Sequence, residues 1–245
     1  MKELDQDSLR ELRKLRQGLN YGWSLTQDDL DDLDLDWHSK VQPSQKDVSE
    51  SFAVTRPDGT ITGIAGPRWL FHLFGLCHRA SHVGLATQNG MVLLQRRAVT
   101  KADWPDAWDM AVAGHVPLKE DGSSMTFEEG ALKETEEELG LPAKLIGSLL
   151  VEGRLVPVGA PYFSFDVDEE RNPPFYNAEC QQIFGGTLTA EGLAQLKPDY
   201  EELSGVYLCP PEKAWDILAR ENIAGGLRTS LPRYLDWLAQ TSKAV

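Results

Sequence analysis

Residues 126–142 read "TFEEGALKETEEELGLP". Thr126 and Glu129 have the T-x-x-E spacing of a capping box, which starts a helix. Gly140 suits the left-handed position just past a helix end, and Pro142 prevents continuation. The stretch therefore predicts one short helix over 126–139. At about 100° per residue, Glu134, Glu137 and Glu138 fall within an arc of about 100°, and Glu136 points to the other side. Leu132 and Leu139 share a face that can pack on a sheet. Each like-charge pair at i,i+3 or i,i+4 costs roughly 0.2–0.5 kcal/mol. The carboxylates also stand near the helix C-terminus, the wrong end for negative charge. Lys133 is close by, but N-terminal to its glutamates, the poorer orientation. Selection for stability alone would not produce this pattern. Two readings remain: a solvated acidic face, or a cradle of oxygen ligands for a hard divalent cation.

Outward from this helix, "ASHVGLATQNGMVLLQRR" (80–97) predicts a hairpin turning at Asn89-Gly90. "SFAVTRPDGTITGI" (51–64) predicts two strands around "PDG". "AWDMAVAGHV" (107–116) reads as one further strand, and 149–167 and 179–188 as others. Helices are expected near 189–196, 211–220 and 228–240. Towards the N-terminus, Leu9, Leu12, Leu15 and Leu19 recur at helical spacing, as do Leu30, Leu33 and Trp37 after an expected N-cap at Ser24. "QPSQKD" (42–47) reads as a linker. Residues 1–47 are thus expected to be a helical extension, and 48–245 the main domain. Strands, one central helix, strands and late helices predict an α/β or α+β sandwich with a mixed sheet.

Composition narrows the function. The 245 residues carry 24 Lys plus Arg against 38 Asp plus Glu, a formal charge of −14. So acidic a surface repels nucleic acid polymers and anionic membranes. A small phosphorylated substrate stays compatible, because a local basic pocket and a metal can reverse the sign at one site. No apolar run is long enough to span a membrane, and the charged N-terminus lacks the apolar core of a signal peptide. A cytoplasmic setting is the resulting expectation. Cys77, Cys180 and Cys209 are widely spaced and form no CxxC pair, so buried free thiols are expected.

The glutamate helix resembles the Nudix box, G-x5-E-x7-R-E-U-x-E-E-x-G-U with U aliphatic. "KETEEELGL" (133–141) falls on its second half, which places Glu134, Glu137 and Glu138 on the family's metal-binding glutamates. Lys133 replaces the arginine, Thr135 an aliphatic residue, and Met125 stands where the first glutamate is expected. The resemblance implies a Nudix-type α/β/α sandwich, Mg2+ or Mn2+ as cofactor, and a small diphosphate as substrate. It extends over roughly residues 50–210. Residues 75–116 are similar to the branch that contains isopentenyl-diphosphate isomerases and related hydrolases, and "NAECQQIF" (177–184) is similar to its later acidic strand. In that branch His78 and His115 match ligands of a second metal, and His72 lies one residue out of register with a third. Glu179 matches a catalytic glutamate, and Asn177 replaces another. Imidazole mixed with carboxylate suits Mn or Zn better than Mg. Arg97 and Lys101 fall where the branch holds the diphosphate, and Arg96 should point the opposite way on its strand.

Isomerisation of an allylic diphosphate needs a proton donor and an acceptor. The isomerases place a cysteine where this chain has Ala113, and Cys180 neighbours Glu179 on a strand and so faces away from it. Hydrolysis needs only a metal held by Glu134, Glu137 and Glu138 and a glutamate base, from that arc or Glu179. Hydrolase is therefore the preferred expectation. The alternatives are the isomerase itself and a catalytically weak ligand-binding or sensor module. The extension is expected either to cover the site or to form a homodimer contact.

Overall fold

The computed structural model describes residues 1–101 and 103–241. In chain order these form α1 (Gln6–Gly18), α2 (Gln27–Val41), α3 (Gln45–Ser49), β1 (Ser51–Thr55), β2 (Ile61–Pro67), α4 (Arg68–Phe74), β3 (His78–Thr87), β4 (Val92–Arg97), β5 (Trp108–Asp109) and β6 (Val112–His115). There follow α5 (Phe127–Leu139), α6 (Ile146–Leu149), β7 (Val156–Asp168), β8 (Phe175–Leu188), α7 (Ala190–Ala194), β9 (Leu203–Cys209), α8 (Pro211–Arg220) and α9 (Gly225–Thr241). The fold is mixed α/β, as expected. A seven-stranded sheet runs in the order β5-β4-β3-β8-β7, with β6 also paired to β3 and β9 to β4. No described helix is long and apolar enough to cross a membrane.

The residues divide into two compact units that do not follow chain order. One comprises Met1–Arg79, His115–Met125 and Pro161–Gln181; the other comprises Ala80–Gly114, Thr126–Ala160 and the residues from Gln182 onward.

In the first unit, α1 and α2 share a core with the β1-β2 hairpin and α4. Leu12, Leu30 and Trp37 lie in one cluster with Phe52, Phe71 and Phe74. Trp37 is fully buried and meets the Phe74 ring edge-on at 5.6 Å. Complete burial of a large apolar side chain contributes roughly 1.5–3 kcal/mol, so the N-terminal helices carry much of this unit's core. α2 starts at Thr26 rather than Ser24, because Thr26 forms a full capping box with Asp29. The expected linker at 42–47 holds the start of α3, which Ser44 caps through Asp47 N–H. α4 went unexpected: "RWLFHLF" is buried from Trp69 to Phe74 and so lacks the polar face that marks a surface helix.

In the second unit, β3 and β4 pair antiparallel across the Asn89-Gly90 turn, with Leu85 opposite Leu93. Gly90 has φ +82°, which that turn requires. β4 also pairs antiparallel with β9, which the sequence reading missed, and with β5. The single strand expected over 107–116 breaks into β5 and β6 around Met110 and Ala111, both buried. α5 follows its expected course. Thr126 Oγ1 accepts from Glu129 N–H at 3.1 Å, and Glu129 returns the bond to Thr126 N–H at 2.8 Å. Gly140 ends the helix at φ +67°, and a Cβ there would stand 2.8 Å from the Lys197 backbone carbonyl oxygen. The helix's last carbonyls are capped by that same segment: Lys197 N–H donates to Leu139 O and Asp199 N–H to Glu138 O.

Candidate functional site

The three carboxylates of α5 occupy different environments. Glu137 is exposed, with 57% of its side chain accessible; Glu134 is mostly covered at 14%; Glu138 is buried. Lys133 Nζ lies 3.1 Å from Glu134 Oε1 and 2.5 Å from Glu137 Oε2, so an ammonium partly neutralises the arc. Glu138 Oε2 accepts from Gln95 Nε2 at 3.1 Å and from Ala113 N–H at 3.3 Å. Burial first, and Glu134 second, push the Glu138 carboxyl up to about 8, against the pull of Arg97. Gly114 makes room for the arc. A Cβ there would stand 2.4 Å from Glu134 Cγ, Cδ and Oε2. Glu136 points elsewhere, as expected, and accepts from Ala143 N–H at 3.1 Å. Thr135 is fully buried, and its hydroxyl, the polar departure from an aliphatic residue, is satisfied by Ala131 O at 2.6 Å.

Arg97 and Arg96 diverge as strand alternation requires. Arg97 donates to Asp109 Oδ2 at 3.3 Å and to Asp103 O at 3.0 and 3.3 Å. Its charge lowers the cost of ionising Glu138, as does that of Lys101. Lys101 forms an ion pair with Glu202. Arg96 instead makes a two-pronged pair with Asp106 at 2.8 and 3.0 Å and lies 5.2 Å over the Trp108 ring.

In the first unit, α4, β3 and β6 bring His72, His78 and His115 together, with one ligand atom from each within 4.8 Å of the others. His72, out of register in the sequence comparison, joins the group because α4 curls the chain before β3. Phe52 stacks on His78 with centroids 4.9 Å apart, and Phe175 stacks on His72 at 4.8 Å. Glu179 Oε1 lies 3.3 Å from His115 Nε2 and 3.9 Å from His78 Nε2, while Oε2 accepts from Gln181 Nε2 at 2.6 Å. His78 Nδ1 lies 3.0 Å from Leu76 O. A carbonyl only accepts, so Nδ1 carries the proton and Nε2 presents a lone pair. Burial, then the neighbouring His115, drive His78 down to about 4 and His72 well below the ordinary histidine range. Both ring nitrogens of His72 and Nε2 of His78 are buried without a hydrogen-bond partner among the described residues. Imidazole lone pairs beside a carboxylate could hold a cation, and a histidine fixed by a backbone carbonyl is the usual orientation of a metal ligand. Three imidazoles and a carboxylate fit an ion of the Mn or Zn type.

The remaining expected residues play other parts. Cys77, Cys180 and Cys209 are free and buried. Burial pushes Cys77 up to about 11 and Cys180 to about 12. His82 Nδ1 meets Ser230 Oγ at 2.5 Å inside the core. Sequence reasoning passed over Gln95 and Gln181, each of which holds a site carboxylate. For Gln95 a signal existed: it stands two residues before Arg97, on the same strand face.

Comparison with known proteins places the chain in a family. Nudix hydrolase 3 of Arabidopsis thaliana is 38% identical over 95 residues, 38% of this chain and 12% of that protein. An isopentenyl-diphosphate Delta-isomerase of Cutibacterium acnes is 28% identical over 152 residues, 62% of this chain and 65% of that protein. The chain thus spans less than two thirds of either relative's length. Among solved structures, DR0079 from Deinococcus radiodurans shares the fold with a TM-score of 0.53 at 19% identity, covering 76% of this chain and 99% of that one. The family model for the NUDIX domain matches residues 78–234, well over half of the sequence. With the glutamate helix it contains, that match establishes that the chain belongs to the Nudix family.

Proposed function

We propose that this chain is a metal-dependent hydrolase that cleaves the pyrophosphate bond of a small organic or nucleoside diphosphate. The observation that carries this reading is the setting of Glu138. A carboxylate is held in the interior by two N–H donors, beside Glu134 and within reach of Arg97's charge. Burying it beside a second carboxylate is costly unless a cation completes the group. Glu134, Glu137 and Glu138 would hold Mg2+ or Mn2+, whose preference is for oxygen ligands. Such an ion, when bound, supplies Lewis acidity to the phosphoryl oxygens and acidifies water. Arg97 and Lys101 bind the diphosphate, exchanging their carboxylate partners for phosphate oxygens. A glutamate of the arc takes the proton of the attacking water; Glu137 is the member open to solvent. His72, His78, His115 and Glu179 would hold a second ion. Residues 1–47 are an extension to a Nudix domain over 48–245, and their part is to complete the core shared with α4, the helix that carries His72. A cytoplasmic setting belongs to the same proposal.

The isomerase is the second reading, favoured by the histidine trio and by similarity to the Cutibacterium acnes enzyme. Against it stands Ala113, whose side chain carries no titratable group and whose N–H is engaged by Glu138. The two readings part in one experiment. With Mg2+ or Mn2+, the protein should release phosphate or pyrophosphate from at least one member of a small-diphosphate panel. It should not exchange solvent deuterium into the carbon skeleton of isopentenyl diphosphate. Exchange without phosphate release would establish the isomerase, and ligand binding without either activity would establish a sensor.

A further inference from the structure

We infer that Gln95 is a positioning residue that sets which oxygen of Glu138 faces the metal. The inference rests on Glu138 being a metal ligand. Gln95 sits in the middle of β4, flanked by Asp109 of β5 and Val206 of β9, and is fully buried. Two residues earlier, on the same strand face, Leu93 belongs to the apolar core. Packing alone would be served as well by an apolar residue at 95, because a buried amide is destabilising unless its hydrogen bonds are made. Those of Gln95 are only half made. Nε2 donates to Glu138 Oε2 at 3.1 Å, while Oε1 is buried without a partner among the described residues.

The one bond that is made has a directional consequence. Gln95 Nε2 and Ala113 N–H converge on Oε2 of Glu138, and neither reaches Oε1. Two donors on one oxygen fix the rotation of the carboxylate and leave Oε1 as the oxygen to coordinate. An amide N–H cannot ionise, so it supports the charged carboxylate without competing for the cation. A lysine in the same place would add a charge that opposes metal binding. Outer-shell partners of this kind orient and tune first ligands in metal sites, and their loss typically costs roughly 10–100-fold in metal affinity.

The test is a Mn2+ titration, followed by electron paramagnetic resonance of the free ion, on Gln95→Met, Gln95→Glu and Glu138→Gln. Methionine keeps the volume and removes the donor. Glutamate keeps the shape and sets a carboxylate against Oε2. Both should weaken Mn2+ binding roughly 10–100-fold. The metal-free unfolding temperature of Gln95→Met should hold or rise, a combination that a purely structural role would not give. At saturating Mn2+, its kcat should recover while its KM for the metal stays high. Unchanged Mn2+ affinity in either folded Gln95 variant, alongside weakened binding in Glu138→Gln, would overturn the inference and leave the metal site standing. Unchanged affinity in Glu138→Gln would overturn both.

Discussion

Gly114→Ala isolates the position of Glu134 from everything else in the fold. The added Cβ would stand 2.4 Å from Glu134 Cγ, Cδ and Oε2. Non-bonded carbons settle at about 3.5–4.0 Å, so the side chain has to move by more than about 1 Å. The three nearest atoms belong to one side chain rather than to backbone, and Gly114 does not adopt a left-handed φ. Overpacking typically costs about 1–3 kcal/mol, and the fold should survive. The displaced ligand should matter far more, since a 1 Å error in a reacting group can cost on the order of 10²-fold. The assay pairs thermal unfolding without metal with a Mn2+ titration and phosphate release. The expected result is a Tm lowered by a few degrees, with metal affinity and turnover each reduced by about 10²-fold. Wild-type Mn2+ affinity in a folded Gly114→Ala protein would refute the view that Glu134 coordinates from this pose.

Other expectations follow from the same geometry. Arg97→Ala and Lys101→Ala should each raise KM for the diphosphate about 10–100-fold, the loss of a charge-assisted hydrogen bond of roughly 1.5–3 kcal/mol. Arg96→Ala should leave KM near wild type, because Arg96 is committed to Asp106 and Trp108; equal effects at 96 and 97 would reverse the facing. Metal-free stability should be level between about pH 4.5 and 6.5 and fall on both sides of that range. Glu138 stays protonated to about 8 instead of 4.5, so its contribution is present below 4.5 and lost as pH rises towards 8. His78 stays neutral to about 4 instead of 6.5, so its contribution is present above 6.5 and lost as pH falls towards 4. In Tm-versus-pH curves, Glu138→Gln should flatten the alkaline limb and His78→Gln the acid limb; limbs unchanged by both would contradict these assignments.

What was legible in the sequence was what depends on local chemistry. The capping box at Thr126, the turn at Asn89-Gly90 and the glycine at 140 are each specified within a few residues, and each forms as expected. α4 was hidden because a helix buried on all sides shows no periodicity, and His72 could not be placed in register until that helix was seen. β9 was hidden because its partner β4 lies more than a hundred residues away. The contacts on Glu138 from Gln95 and Ala113 are long-range too, so a reading along the chain finds the carboxylate and misses what orients it. Lys133, a departure from the family's arginine, proved to bridge two of the arc's carboxylates.

The most direct test of the account is metal-dependent phosphate release by Glu137→Gln and Glu138→Gln, with Glu136→Gln in parallel. All three replace one carboxyl with an amide on the same helix, but Glu136 faces away and merely accepts from Ala143 N–H. The account predicts that release with Mg2+ falls by roughly 10²-fold or more in the first two and stays near wild type in the third. The fold should stay intact, because Glu137→Gln relieves like-charge repulsion and a glutamine oxygen at 138 can still accept from Gln95 and Ala113. Wild-type release from both Glu137→Gln and Glu138→Gln would contradict it.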